Sequence, residues 1–128
     1  MSYYFSKTIA ASFEEAIARV TEGLKKEGFG IITEIDVRET LKKKLGVEFH
    51  NYKILGACNP PFAYEALQIE DKVGTLLPCN VIVQEREPGQ AEVAAVDPMT
   101  TMQAVGNPKL KAIAERVRIK LKRVVENL

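Results

Sequence analysis

Three times in this chain a helix-capping residue stands directly before proline: Asn59-Pro60, Asp97-Pro98 and Asn107-Pro108. Proline lacks an amide hydrogen and has a fixed φ, so it breaks a strand ladder yet suits the first turn of a helix. Each pair therefore closes one element and opens the next. Two capping boxes, Ser12-Phe13-Glu14-Glu15 and Asp36-Val37-Arg38-Glu39, mark further helix starts. Gly28, Gly46 and Gly106 supply matching stops. Such dense punctuation forces short alternating elements, and no linker, repeat or low-complexity segment interrupts them.

Between the marks, residues 3–9, 29–35, 51–57, 76–87 and 91–96 carry the β-branched and aromatic bias of strands. In the second of these, Phe29, Ile31, Thr33 and Ile35 are expected on one face, with Gly30, Ile32 and Glu34 on the other. Glu87-Pro88-Gly89-Gln90 fits a type II turn, which joins the last two strands as an antiparallel hairpin. After Ser12, the residues Phe13, Ala16, Ile17, Val20 and Leu24 repeat at helical period. A second, shorter helix runs through Leu45, a third covers about 61–69, and a short turn or helix leads from Asp97 toward Gly106. At 128 residues and 46% hydrophobic content, the whole of 1–128 reads as one domain. A core burying about two thirds of the unfolded surface needs neither disulfide nor metal.

The final helix, from Pro108 toward Leu128, concentrates the charge. Residues 109–128 hold seven basic and two acidic side chains, whereas the chain as a whole is nearly neutral at +1. Leu110, Ile113, Ala114, Val117, Leu121, Val124, Val125 and Leu128 form a stripe roughly 120° wide. The basic residues border that stripe, where their aliphatic stems cover the core edge while the charges stay in water. No aromatic residue is interleaved with them, so a nucleic-acid partner is not expected. Ile119 lies nearly opposite the stripe. No apolar run approaches the roughly 20 residues that span a bilayer, so no membrane partner is expected either. The stretch Met1 to Lys7 lacks the basic start and apolar run of a signal peptide. A cytoplasmic protein with reduced thiols is the expectation.

Both cysteines occur in Cys-Asn dipeptides, Ala57-Cys58-Asn59-Pro60 and Pro78-Cys79-Asn80-Val81, each at the edge of an apolar run. Extended chain gives way there to a turn or helix start, so side chains can converge on a cleft. Glu34, Asp36, Asn59, Asn80 and Asp97 add polar groups in the junctions beside the sheet. Asn59 is expected to cap the third helix, placing its first amides beside Cys58, where they favour an anion or a thiolate. Asn80 is expected to satisfy a turn. If the third and fourth strands are neighbours, the cysteines can lie opposite each other at a spacing that overlaps the disulfide range. The plainer reading is a pair of buried structural cysteines packed as small hydrophobes. Metal is disfavoured because His50 is the only histidine. His50 is also too far along its strand from Cys58 to serve as its base. No nucleotide loop or serine-hydrolase motif occurs, and no cofactor or reaction is named.

The blocks Thr33-Glu34-Ile35-Asp36-Val37, Tyr52-Lys53-Ile54-Leu55-Gly56-Ala57-Cys58-Asn59-Pro60 and Leu76-Leu77-Pro78-Cys79-Asn80-Val81, with Leu45-Gly46, Ala66-Leu67 and Gly74, are distinctive in this order. Over essentially its whole length the chain resembles the uncharacterised prokaryotic family known as domain of unknown function 302. The resemblance implies an α+β fold: a curved antiparallel sheet of about five strands with helices on one face, similar in topology to one repeat of the TATA-binding protein. It carries no activity. It selects Glu34, Asp36, Cys58, Asn59, Pro78, Cys79, Asn80, Asp97 and Pro98, and leaves out His50. It also implies a homodimer, which accords with an open sheet face carrying Ile32, Ala94 and Val96 or their neighbours. Two functions are therefore expected to compete. One is a small-molecule-binding or thiol-based site around the Cys-Asn segments, with Glu34 and Asp97 as polar walls. The other is a non-enzymatic dimeric interaction protein whose cysteines are structural.

Overall fold

Strands and cap-bounded helices alternate through the computed structural model, which describes residues 2–128; Met1, where the N-terminal stretch read above begins, lies outside them. The elements are β1 (Tyr4–Ile9), α1 (Phe13–Lys26), β2 (Gly30–Asp36), α2 (Val37–Leu45), β3 (Asn51–Cys58), α3 (Pro60–Ile69), β4 (Cys79–Glu87), β5 (Gln90–Val96), α4 (Pro98–Met102) and α5 (Pro108–Glu126). A six-residue 3₁₀ helix, Asp71–Leu76, joins α3 to β4, so the fourth strand starts later than its apolar run suggests. The strands form one antiparallel α+β sheet in the order β1-β5-β4-β3-β2.

Local chemistry accounts for the boundaries. Ser12 Oγ accepts the Glu15 amide at 3.2 Å, Asp36 Oδ1 accepts that of Glu39 at 2.9 Å, and Asn107 Oδ1 that of Lys109 at 2.9 Å. Each bond satisfies one of the orphan donors at a helix start. Gly89 takes φ +81°, as the third position of a type II turn requires. That turn splays strands of natural twist, and the register shift between Glu85 and Glu87 takes up the difference.

The core lies between the sheet and helices α1 and α5. Leu55, Val81, Val83 and Val93 point from the sheet into it with no exposed surface, and Val20, Leu24 and Leu121 meet them from the helices. Seven of the eight stripe residues of α5 are buried; Leu128 lies beyond the helix end and is half-buried.

Two expectations are corrected here. The register of β2 against β3 shifts between Ile31 and Thr33, so Ile31 aligns with Ala57 on the helix side while Thr33 and Ile35 align with Gly56 and Ile54 on the open side. A bulge at Ile32 inverts the alternation partway along the strand, which a strict two-residue period does not anticipate. Second, the basic flank of α5 does not simply face water. Arg118 pairs with Asp97, Lys120 and Arg123 with Glu27, and Arg116 with Glu65. Part of the local charge excess is thus met by Glu27, Glu65 and Asp97 from elsewhere in the chain. No helix among the described residues is long and apolar enough to cross a membrane.

Candidate functional site

The two Cys-Asn segments meet at one end of the sheet, where β3 finishes, β4 starts and β2 starts beside them. Cys79 aligns with Ala57 and Cys58 with Gly30, so the cysteines are diagonal neighbours and not the opposed pair that disulfide geometry favours. Both are free thiols. Alternation along the strands sends Ala57 and Cys79 to the helix side and Cys58 to the other. Cys79 packs against the core, and burial pushes its thiol up to about 11, with the neighbouring Cys58 adding to the rise. Such a thiol is neutral at pH 7, the reverse of an activated nucleophile.

A cavity of about 330 Å³ opens over this end of the sheet. Ala57, Cys58 and Cys79 contribute from the strands, Phe62, Ala63 and Ala66 from α3, and Ile113, Ala114 and Val117 from α5. Ile32 and Leu67 also line it and are 62% and 44% exposed, so its rim is apolar and open to solvent. Among the described residues no charged side chain lines it, and Asn59 supplies the one side-chain amide.

Asn59 departs from its expected part. It occupies the N-cap position of α3, but its side chain makes no capping bond. Instead Nδ2 donates to the Glu27 carbonyl at 3.2 Å, beneath Gly28. A Cβ at residue 28 would stand 3.2 Å from that nitrogen, and Gly28 has φ +88°. Glycine is needed there on both counts. Asn59 thus clips the β3–α3 junction to the end of α1. The helix start beside it is also a poor anion site, because Pro60 and Pro61 remove two of the amide donors that such a site uses.

The remaining candidates disperse. Asn80 lies within β4, exposed on the open sheet face opposite Gly56, not in a turn. Glu34 and Asp36 are exposed toward the far end of β2, four and six residues from Gly30, which at about 3.3 Å per residue puts them ~13 and ~20 Å along the strand from the residue aligned with Cys58. Asp36 is occupied in capping α2. Asp97 is 7% exposed, accepts the Met99 amide at 3.0 Å and pairs with Arg118 at 3.2 Å; it lines a different cavity. His50 bonds Gln84 at 2.8 Å at the opposite end of β3 from Cys58. No cluster of three or more His, Cys, Asp or Glu side chains suited to a metal occurs among the described residues.

Residues 5–128 match the family described as domain of unknown function DUF302. The chain belongs to the DUF302 family. Its fold is similar to the crystal structure of an uncharacterized conserved DUF302 protein from Bacillus stearothermophilus, with a TM-score of 0.90, 30% identity and 98% of each chain covered. No curated protein is similar to it. In this DUF302 chain the apolar lining residues Phe62, Ala66 and Leu67 were not among the site candidates, although Ala66-Leu67 is one of the family blocks in the sequence. One signal was present: α3 reads Pro-Pro-Phe-Ala-Tyr-Glu-Ala-Leu-Gln-Ile, apolar on most sides, yet only Ala66 is fully buried. A helix so composed has an apolar surface to place against something.

Proposed function

We propose that this protein binds a small, uncharged, largely apolar molecule in the cavity at the Cys-Asn end of the sheet, as a small cytoplasmic homodimer. The observation that carries this reading is the lining itself: about 330 Å³ bounded by mostly apolar residues with the Cys79 thiol on the helix side, without a charged side chain among the described residues, and reached past Ile32 and Leu67. Cavities of this size are typical of small-ligand sites, and an engineered apolar cavity of about 150 Å³ already takes up benzene. A ligand of about bicyclic-aromatic size suits the space. The neutral Cys79 thiol favours a binding role over nucleophilic chemistry.

Titration with indole and naphthalene, followed by methyl-group NMR shifts, tests this. Saturable shifts confined to Ala66, Ile113, Ala114 and Val117 are expected, together with their loss in Ala63→Leu, which fills the cavity from a half-buried position. Absence of saturation by either probe would sink the reading.

A second reading rests on the open sheet face. Ile35, Ile54, Ile82 and Ala94 align there across four strands as one apolar row. This row supports a role as an interaction protein assembled through two copies of that face, in which the cysteines serve packing alone.

A further inference from the structure

A second cavity, of about 750 Å³, lies on the other side of α4 from the thiol-lined one, and among the described residues Met102 alone lines both. We propose that it binds small organic carboxylates, with the guanidinium of Arg118 as the anchor. Arg118 is held on two sides. Its Nε donates to Asp97 Oδ2 at 3.2 Å, and its guanidinium carbon stands 5.3 Å from the centre of the Phe5 ring. Asp97 is itself fixed, because its other oxygen accepts the Met99 amide at 3.0 Å. Neither Nη group donates to another described residue.

A guanidinium is a rigid planar fork. With its Nε edge and its plane both set by the protein, the two Nη groups are presented with little rotamer freedom left to lose on binding. A planar carboxylate accepts two parallel hydrogen bonds from such a pair. Attraction by net charge contributes little. Asp97 offsets Arg118, and Lys111 and Glu115, one turn apart on α5, offset each other at the rim. Recognition therefore rests on donor geometry, so affinity is modest and falls sharply for an acceptor that cannot use both donors. Tyr4, Phe5 and Met99 line the same cavity and suit an aromatic or short aliphatic body. This site differs in ligand chemistry from the uncharged pocket proposed above and stands or falls independently of it.

Benzoate and its neutral counterpart benzamide provide the test, titrated into the intact protein and followed by amide proton–nitrogen correlation spectra. Benzoate is expected to produce saturable shifts at Phe5, Thr100 and Arg118 in the millimolar range, with benzamide weaker by about tenfold or more. Arg118→Lys, which keeps the charge and loses the fork, is expected to weaken benzoate by a similar factor while leaving indole shifts at the other cavity intact. Equal affinity for the two probes, no saturation by benzoate, or benzoate binding unchanged in Arg118→Lys each overturns the proposal. If Arg118→Lys does not fold, the comparison of the two probes on the natural chain decides alone.

Discussion

A thiol that ionises near pH 11 links its titration to folding. In the unfolded chain Cys79 loses its proton near the ordinary value of about 8.5–9, whereas in the folded protein burial delays that loss. Below about pH 8 both states keep the proton, and the group has no effect on stability. Between the two values the unfolded state binds fewer protons, so stability falls as pH rises, by about 2–3 kcal/mol once both are passed. Urea denaturation at pH 8 and pH 11 should show a loss smaller by that amount in Cys79→Ala than in the natural chain. Parallel pH profiles would mean that Cys79 is reached by water. Asn59 offers a sharper residue-level contrast. Aspartate is as good a helix cap as asparagine, so capping alone makes Asn59→Asp neutral. The bond from Nδ2 to the Glu27 carbonyl predicts the opposite, because the substitution replaces a donor with a carboxylate facing an acceptor. A loss on the order of 1–3 kcal/mol at pH 7 is expected in urea denaturation. Equal stability would restore Asn59 to a cap.

Among the elements, β2 and α5 bear different relations to the sequence. The stripe of α5 was legible because a helix keeps its period over five turns, and one misplaced residue, Ile119, stands out as 47% exposed. The strand β2 was legible as a strand but not in its facing, because a single bulge shifts every later side chain to the other side. Gly56, on the neighbouring β3, occupies the open face between Thr33 and Pro78. A Cβ added there would overlap Thr33 Oγ1 and come 2.8 Å from Pro78 Cγ, a ring atom with little freedom to move aside. Gly56→Ala is therefore expected to cost about 1–3 kcal/mol as an overpacked site, although alanine is otherwise accommodated in strands. A denaturation midpoint at or above that of the natural chain would show that Pro78 can yield.

At the scale of the whole molecule, the open face of the sheet is the surface on which the proposed dimer would close. The row Ile35–Ile54–Ile82–Ala94 leaves apolar surface without a covering helix, and Ile35 alone is 48% exposed. Sedimentation at micromolar concentration is expected to give a mass near twice 14.2 kDa. Ile35→Lys combined with Ile82→Lys should return it to the single-chain mass with an unchanged circular dichroism spectrum. A natural chain that stays monomeric at hundreds of micromolar would remove the sheet face as an interface. Much of this molecule was determined by the sequence acting locally. Caps, prolines and glycines set where elements begin and end, and helical periodicity set the buried face of α1 and α5, because each depends on bonds and neighbours within one or two turns. The tertiary structure alone decided which polar residues keep company. Glu34, Asp36, Asn59, Asn80 and Asp97 look alike as junction residues in the chain, yet strand order sends them to separate ends and faces of the sheet. It likewise placed Arg118 against Asp97, 21 residues away, and Asn59 against Glu27, 32 residues away. Such pairings are not written in any local pattern, since they arise only when a sheet and two helices pack and bring distant charges and amides within hydrogen-bonding distance.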